Sequence, residues 1–171
     1  LEEAKQILTG AYDPAEYVAA EVIDNHDDII QGVQDRINPD SLKSYLMQLS
    51  AFGNRNTGSD TVSDDFGMGA TRRWAHAYFE TISAENDGRL ITSYLQFNQN
   101  ICGMAQHRNA FAVLPGTDAE NHEVILIEGH VDSRCASACD TECDAHGMED
   151  NGSGSALVLE LARVMCRYTY E

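Results

Sequence analysis

Residues 123–129, EVILIEG, are apolar nearly throughout. This is the pattern of a strand covered on both faces, and it constrains the chain more than any other feature. Such strands occur where helices flank a sheet and other strands lie on either side. Two more segments carry strand patterns. Residues 90–98 (LITSYLQFN) alternate, with Ile91, Leu95 and Phe97 on one side. Residues 109–114 (NAFAVL) form another, stopped by the turn pair Pro115-Gly116.

Elsewhere the period is helical. Asp13-Pro14 is a start signal followed by Tyr17, Val18, Val22 and Ile23 at helical spacing, so the first 35 residues read as one or two polar helices. Asn38-Pro39 opens the next helix, with Leu42, Tyr45, Leu46 and Leu49 as its apolar stripe. Residues 53–65, rich in Gly, Asn, Ser and Asp, read as a loop. Trp74, Tyr78 and Ile82 stack on a further helix that ends near Asn86-Asp87-Gly88. A last helix runs from about Ser153, with Leu157, Leu161 and Val164 expected to face inward. Helices around buried strands imply an α/β sandwich, with 1–36 as a helical amino-terminal segment and 37–171 as the main body. Sheets of this class carry about five strands or more, so 37–171 is expected to be the amino-terminal half of a larger domain.

Charge narrows the partners. The chain has 28 Asp or Glu against 11 Lys or Arg, a formal net of −17, which argues against nucleic acid or an anionic membrane surface as the main partner. No apolar run approaches the ~20 residues of a membrane helix. At 43% hydrophobic residues the chain can bury a core.

Two short motifs carry chemistry. ILIEGHVDS places His130 and Asp132 at the carboxyl end of the most buried strand, the sheet edge where open α/β folds bind ligands. Residues i and i+2 of a strand emerge on one side, so Asp132 can take the proton of one His130 ring nitrogen and leave the other for a metal. A strand-end histidine capped by an aspartate is the structural alternative. Further on, GMEDNGSG (147–154) combines glycines that let backbone approach a ligand with Asp150 just before a helix start. Ser153 reads as a cap within the first turn, and a glycine-rich turn with an acidic residue at the positive helix end is the structural alternative. A carboxylate has two oxygens and can bridge two divalent metals ~3.5–4 Å apart, with an imidazole as directional ligand to one of them.

Taken together, NAFAVLPGTDAENHEVILIEGHVDS, a variable loop and GMEDNGSG resemble the co-catalytic zinc aminopeptidase family, which includes bacterial leucyl aminopeptidase, aminopeptidase Y and glutamate carboxypeptidase. The match covers about residues 38–169 in layout and 109–161 at motif strength. The resemblance implies a three-layer α/β/α zinc-exopeptidase-like sandwich with a mixed sheet. It implies two zinc ions, His130 as ligand to one, Asp150 as the bridging carboxylate, and Asp132 as the catalytic-site carboxylate that orients His130. Ser133 and Asn151 take supporting roles, and a cis Asp150-Asn151 peptide is expected. A peptide substrate would be cut by metal-activated water. The family's Glu-Glu pair, later acidic ligand and distal histidine are not in these 171 residues. This polypeptide by itself is therefore expected to be inactive, with the missing carboxyl-terminal half as its partner. A non-catalytic, receptor-like binding protein on the same fold is the alternative, and a metal-dependent cyclase or amidohydrolase on the same scaffold a weaker one.

Five cysteines leave the compartment to be argued. Cys135, Cys139, Cys143 and His146 form C-x3-C-x3-C-x2-H, readable as a Cys₃His zinc site or as disulfides in a loop beside Asp150. A single crowded run is unlike the two separated ligand pairs of strong zinc signatures and favours disulfides, with free thiols as the remaining reading. Disulfides suit an extracytoplasmic (secreted or periplasmic) protein. An odd count leaves one thiol free or paired outside the chain. His26, His76, His107 and His122 stand alone and read as surface or packed residues, and Arg72-Arg73 as a solvated face. Asn151-Gly152-Ser153 matches a glycosylation acceptor, but its place in the metal motif argues against modification.

Overall fold

The computed structural model describes residues 1–19, 25–118, 120–121 and 123–170. The core forms where three helices meet the root of a β-hairpin. Helix α3 (Pro39–Ala51) begins as its sequence dictates: the Asn38 side chain accepts from the Asp40 amide at 2.9 Å, and Pro39 occupies the first turn. Its predicted stripe faces inward, with Tyr45 and Leu49 buried and Leu42 and Leu46 packed at the core margin. Helix α4 (Gly67–Ala84) stacks Trp74 on Tyr78 and buries Ile82. Helix α5 (Gly154–Met165) adds Ala156 and Leu159, so that Tyr45, Phe79, Ile82, Leu90, Ala156, Leu159 and Cys166 form one apolar cluster. The inward face of α5 differs from the expected one. Val164 is buried, but Leu157 is 48% exposed, and Leu159 with Glu160 takes the inner positions.

The sheet consists of two antiparallel strands among the described residues, β1 (Ile91–Ile101) and β2 (Met104–Val113), paired from Ile91↔Val113 to Ile101↔Met104. The two-residue turn Cys102-Gly103 has positive φ at both positions, 52° and 83°, as a tight hairpin requires. Both strands are longer than their apolar patterns, because the outer half of the hairpin is polar and solvated. Leu95, expected on the covered side, is 52% exposed, whereas Leu90 and Ser93 at the root are buried.

The expected third strand is the main correction. Residues 123–129 join no ladder, and Val124, Ile125 and Leu126 are 62%, 87% and 77% exposed. A strand is stabilised by neighbours on its edges and layers on its faces, and no other described residues supply them.

At the amino end the helical expectation is also shortened. Helix α1 (Glu2–Leu8) is followed by a single 3-10 turn, Pro14–Tyr17, capped by Asp13, and Val18 is already extended. Val22 and Ile23 lie outside the described residues, and helix α2 (His26–Arg36) begins anew on an Asn25 cap. The clasp for this region is Arg89, almost fully buried, whose guanidinium donates to the carbonyls of Tyr17, Cys166 and Tyr168. No helix among the described residues is long and apolar enough to cross a membrane.

One buried charge ties α5 to the α2–α3 junction. The Glu160 carboxylate accepts from the Asn38 amide at 2.7 Å, from Tyr45 at 3.2 Å, and from Arg163 at 2.9 and 2.6 Å. Burial alone would raise this carboxyl, but the Arg163 and Asn38 hydrogen bonds outweigh it and hold it below its ordinary value. A carboxylate depressed on folding lends stability that is complete above its unfolded value of about 4.3, and loses it as pH falls through the lower folded value. Glu160→Gln should therefore cost about 3 kcal/mol at pH 7 by leaving Arg163 uncompensated. Denaturant titrations at falling pH should show the wild type converging on the variant below about pH 4.

Candidate metal centre

His130 and Asp132 emerge together after residues 123–129. His130 Nδ1 lies 3.0 Å from Asp132 Oδ1, and its Nε2 lies 3.0 Å from Asp150 Oδ1. The structure thus brings the three candidate residues from two separate motifs to one place. The His130 side chain is 54% exposed and that of Asp150 88%, so the pair faces solvent.

Glycines make this approach possible. A Cβ on Gly129 would sit 2.8 Å from the Gly154 carbonyl carbon, so the backbone leading to His130 runs against the start of α5. The Ser155 hydroxyl donates to the His130 carbonyl at 3.0 Å and fixes the same contact. Asp150 itself sits on an irregular turn, residues 148–153, in which Asp150 (φ −104°, ψ 92°) and Asn151 (φ −127°, ψ 42°) leave helical geometry. The Asp150-Asn151 peptide is cis, as expected. Gly147 enters the turn with φ +45°, and the Gly152 amide closes it onto the Gly147 carbonyl at 3.0 Å. Ser153 occupies the N-cap position of α5 but makes no side-chain capping bond: the Gly154 amide donates to Asn151 Oδ1 at 3.0 Å, while the Ser153 hydroxyl donates back to the Glu149 carbonyl.

Arg55, in the polar loop before α4, was invisible to motif reading and organises the centre. Its side chain is fully buried and donates to four carbonyls: Val131 at 2.8 Å, Leu49 at 2.7 Å, His146 at 2.6 Å and Gly147 at 3.0 Å. Its backbone pairs with Ser133, the Ser133 amide donating to the Arg55 carbonyl at 3.2 Å and the Arg55 amide to the Ser133 hydroxyl at 3.1 Å. The Ser133 hydroxyl in turn donates to the Ala145 carbonyl. The segment holding His130 and the turn holding Asp150 are therefore joined through one guanidinium. Burial pulls that guanidinium below its ordinary value, and the nearby Asp132 carboxylate pushes the other way. The available signal was that Arg55 is the only charge in GNRNTGS (53–59).

The cysteine loop is a pair of disulfides. Cys135 bonds to Cys143 within it, and Cys139 bonds to Cys102 at the hairpin turn, a partner the loop's own spacing did not suggest. Cys166 is the remaining thiol, buried, and desolvation pushes it up to about 11. His146 is engaged with Ser50. Neighbouring asparagines hold the loop: Asn54 donates to the Asp140 and Cys143 carbonyls at 3.0 and 2.9 Å, and Asn56 to Ala138 at 2.8 Å. Of the lone histidines, His107 is buried beside the Gln99 and Met104 carbonyls, His76 stacks on Tyr94, and His26 is exposed beside Asp27. His122 lies outside the described residues. Arg73 reaches the Thr61, Val62 and Ser63 carbonyls at the exposed edge of α4.

The donor set suits zinc. Bonds of ~2.0–2.1 Å to nitrogen and oxygen put two ligands of a tetrahedral ion about 3.3 Å apart. His130 Nε2 and Asp150 Oδ1, at 3.0 Å, are near that separation. A carboxylate on the other ring nitrogen is the usual arrangement behind a metal-bound histidine. Among the described residues no third His, Cys, Asp or Glu completes a metal-holding group with them.

The comparisons with known proteins point to zinc metallopeptidases. Residues 109–169 match the model of peptidase family M28. A protein of Pyrenophora teres f. teres described as "Probable zinc metalloprotease" is 32% identical over 148 residues, covering 83% of this chain and 32% of its own length. A counterpart from Leptosphaeria maculans is 31% identical over 142 residues (81% and 33%), and one from Pyricularia oryzae 30% over 139 residues (79% and 28%). The chain spans about a third of the length of these curated relatives. No solved structure matches. The resemblance to the co-catalytic zinc peptidases is borne out at the level of the family, over part of the length of its members.

Arg55→Met removes the donors of four buried carbonyls, each costly to leave unpaired. It should destabilise the protein by about 3 kcal/mol or more in denaturant titration and speed proteolysis within residues 134–146. Arg55→Lys should recover only part of the loss, since one ammonium cannot reproduce the fork.

Proposed function

We propose that the protein carrying this chain is a metallo-exopeptidase of aminopeptidase type, hydrolysing peptide bonds with a di-zinc-activated water. The observation that carries this reading is the His130–Asp150 pair at 3.0 Å with Asp132 on the far ring nitrogen. His130 and Asp150 are the metal ligands in this reading, Asp150 as the bridging carboxylate and Asp132 as the orienting one. Bound zinc would supply a water acidified toward neutrality and a polarised scissile carbonyl.

The chain's own residues have defined tasks. Asp132 accepts the Nδ1 proton of His130, which leaves the Nε2 lone pair for a metal and raises its basicity. Asp150, with two carboxylate oxygens, would be able to hold a second ion as well. Arg55 and Ser133 hold the two segments in register. The general base and remaining ligands belong, in this reading, to sequence following residue 171, in the carboxyl-terminal half of a three-layer sandwich with a mixed sheet. The exposed apolar run 123–129 supports that placement, because strands added beside it would cover Val124, Ile125 and Leu126. Residues 37–171 would be the first half of that domain and 1–36 an appended helical segment. The two disulfides support an extracytoplasmic location.

Metal analysis and peptide cleavage on the full-length protein test this directly. Two zinc ions per molecule are expected in the wild type. Asp150→Ala should lose both ions' tight binding and reduce cleavage by orders of magnitude, and His130→Ala should lose one ion. Asp132→Asn should bind zinc 10–100-fold more weakly, as loss of an orienting carboxylate does. Full zinc content in the Asp150 and His130 variants would refute the assignment.

A further inference from the structure

A cavity of about 500 Å³ opens beside the candidate centre, between the hairpin turn and the disulfide loop. Its lining includes Asp132, Thr57, Asn100, Arg134 and the apolar Ile101, together with the Cys102–Cys139 disulfide. Its volume is that of a small-ligand site. The Asp132 carboxylate is already taken by His130 Nδ1 at 3.0 Å, with the Thr57 hydroxyl 3.5 Å from its other oxygen. Arg134 is different: it is exposed, and among the described residues its guanidinium makes no ion pair or hydrogen bond.

A cation in this position is an exception on a chain of net charge −17, whose field repels anions elsewhere. Other arginines are spent on the fold: Arg55 and Arg89 on carbonyls, and Arg163 on Glu160. A guanidinium presents paired donors matched to the two oxygens of a carboxylate. Asn100 and Thr57 add uncharged polar groups beside it. We infer that this cavity is a substrate subsite that takes a carboxylate of the peptide, with Arg134 as its specificity-determining residue. The inference rests on the peptidase reading above and names the substrate class that reading leaves open. The carboxylate is either an acidic side chain or the carboxyl terminus of a short peptide.

The test uses the full-length, zinc-loaded protein and two pairs of peptides. One pair differs by Glu against Gln in the first two residues, the other is a dipeptide against its carboxyl-terminal amide. Arg134→Gln should raise KM for the carboxylate-bearing member of one pair by roughly tenfold or more, with kcat within about twofold, and Arg134→Lys should restore part of the loss. The pair that responds identifies the source of the carboxylate. An equal effect on charged and uncharged members, or none, would overturn the subsite. If the wild type cleaves no peptide, the peptidase reading fails. The subsite is then judged by calorimetry on metal-stripped protein, with N-acetylglycine against its amide and N-acetylglutamate α-amide against its glutamine counterpart. Binding of one carboxylate ligand that disappears in Arg134→Gln sustains it, and equal or absent binding of charged and uncharged ligands rejects it.

Discussion

Arg55 is the contact on which the candidate centre depends. A buried guanidinium has to satisfy its donors inside the protein, and here it does so on four carbonyls from three places in the chain: the end of α3, the residue after His130, and the residues that lead into the Asp150 turn. Among the described residues neither His130 nor Asp150 hydrogen-bonds to Arg55, yet the segments that carry them are held in register by it. Ser133 completes the arrangement by pairing with the Arg55 backbone and the Ala145 carbonyl. This gives the serine of the H-x-D-S motif a physical role, with its hydroxyl spent on backbone rather than on chemistry. A second buried arginine, Arg89, acts in the same way by joining Tyr17 to Cys166 and Tyr168.

Much of this was legible because it rests on local rules. Asn38-Pro39 marks a helix start wherever it occurs, and the stripe Leu42, Tyr45, Leu46 and Leu49 has a single inward face. The pairing of His130 with Asp132 followed from i, i+2 geometry, and the crowding of cysteines announced disulfides. What could not be read depends on contacts distant in sequence. Nothing near Cys139 indicates that Cys102 is its partner, and nothing near Arg55 indicates that carbonyls some ninety residues later will surround it. The outer half of the hairpin was missed because its strands are solvated and polar, so they lack the apolar alternation that identifies a strand.

The exposed run 123–129 is where local pattern and observed surroundings disagree most. Its composition is that of a strand interior, whereas Ile125 and Leu126 face solvent. Local composition reports the environment a segment is suited to, and tertiary partners decide whether it receives one. Leu157 on α5 shows the same mismatch nearby, because its side of the helix is uncovered although its residue type fits a covered face.

The central claim is that His130 and Asp150 hold metal in the intact protein. Anomalous diffraction at the zinc edge from crystals of the full-length protein measures this most directly. If these residues hold metal, one peak lies within bonding distance of His130 Nε2 and Asp150, and a second about 3.5–4 Å away within reach of the Asp150 carboxylate. A structure of the zinc-loaded protein with no anomalous peak at either residue would contradict it.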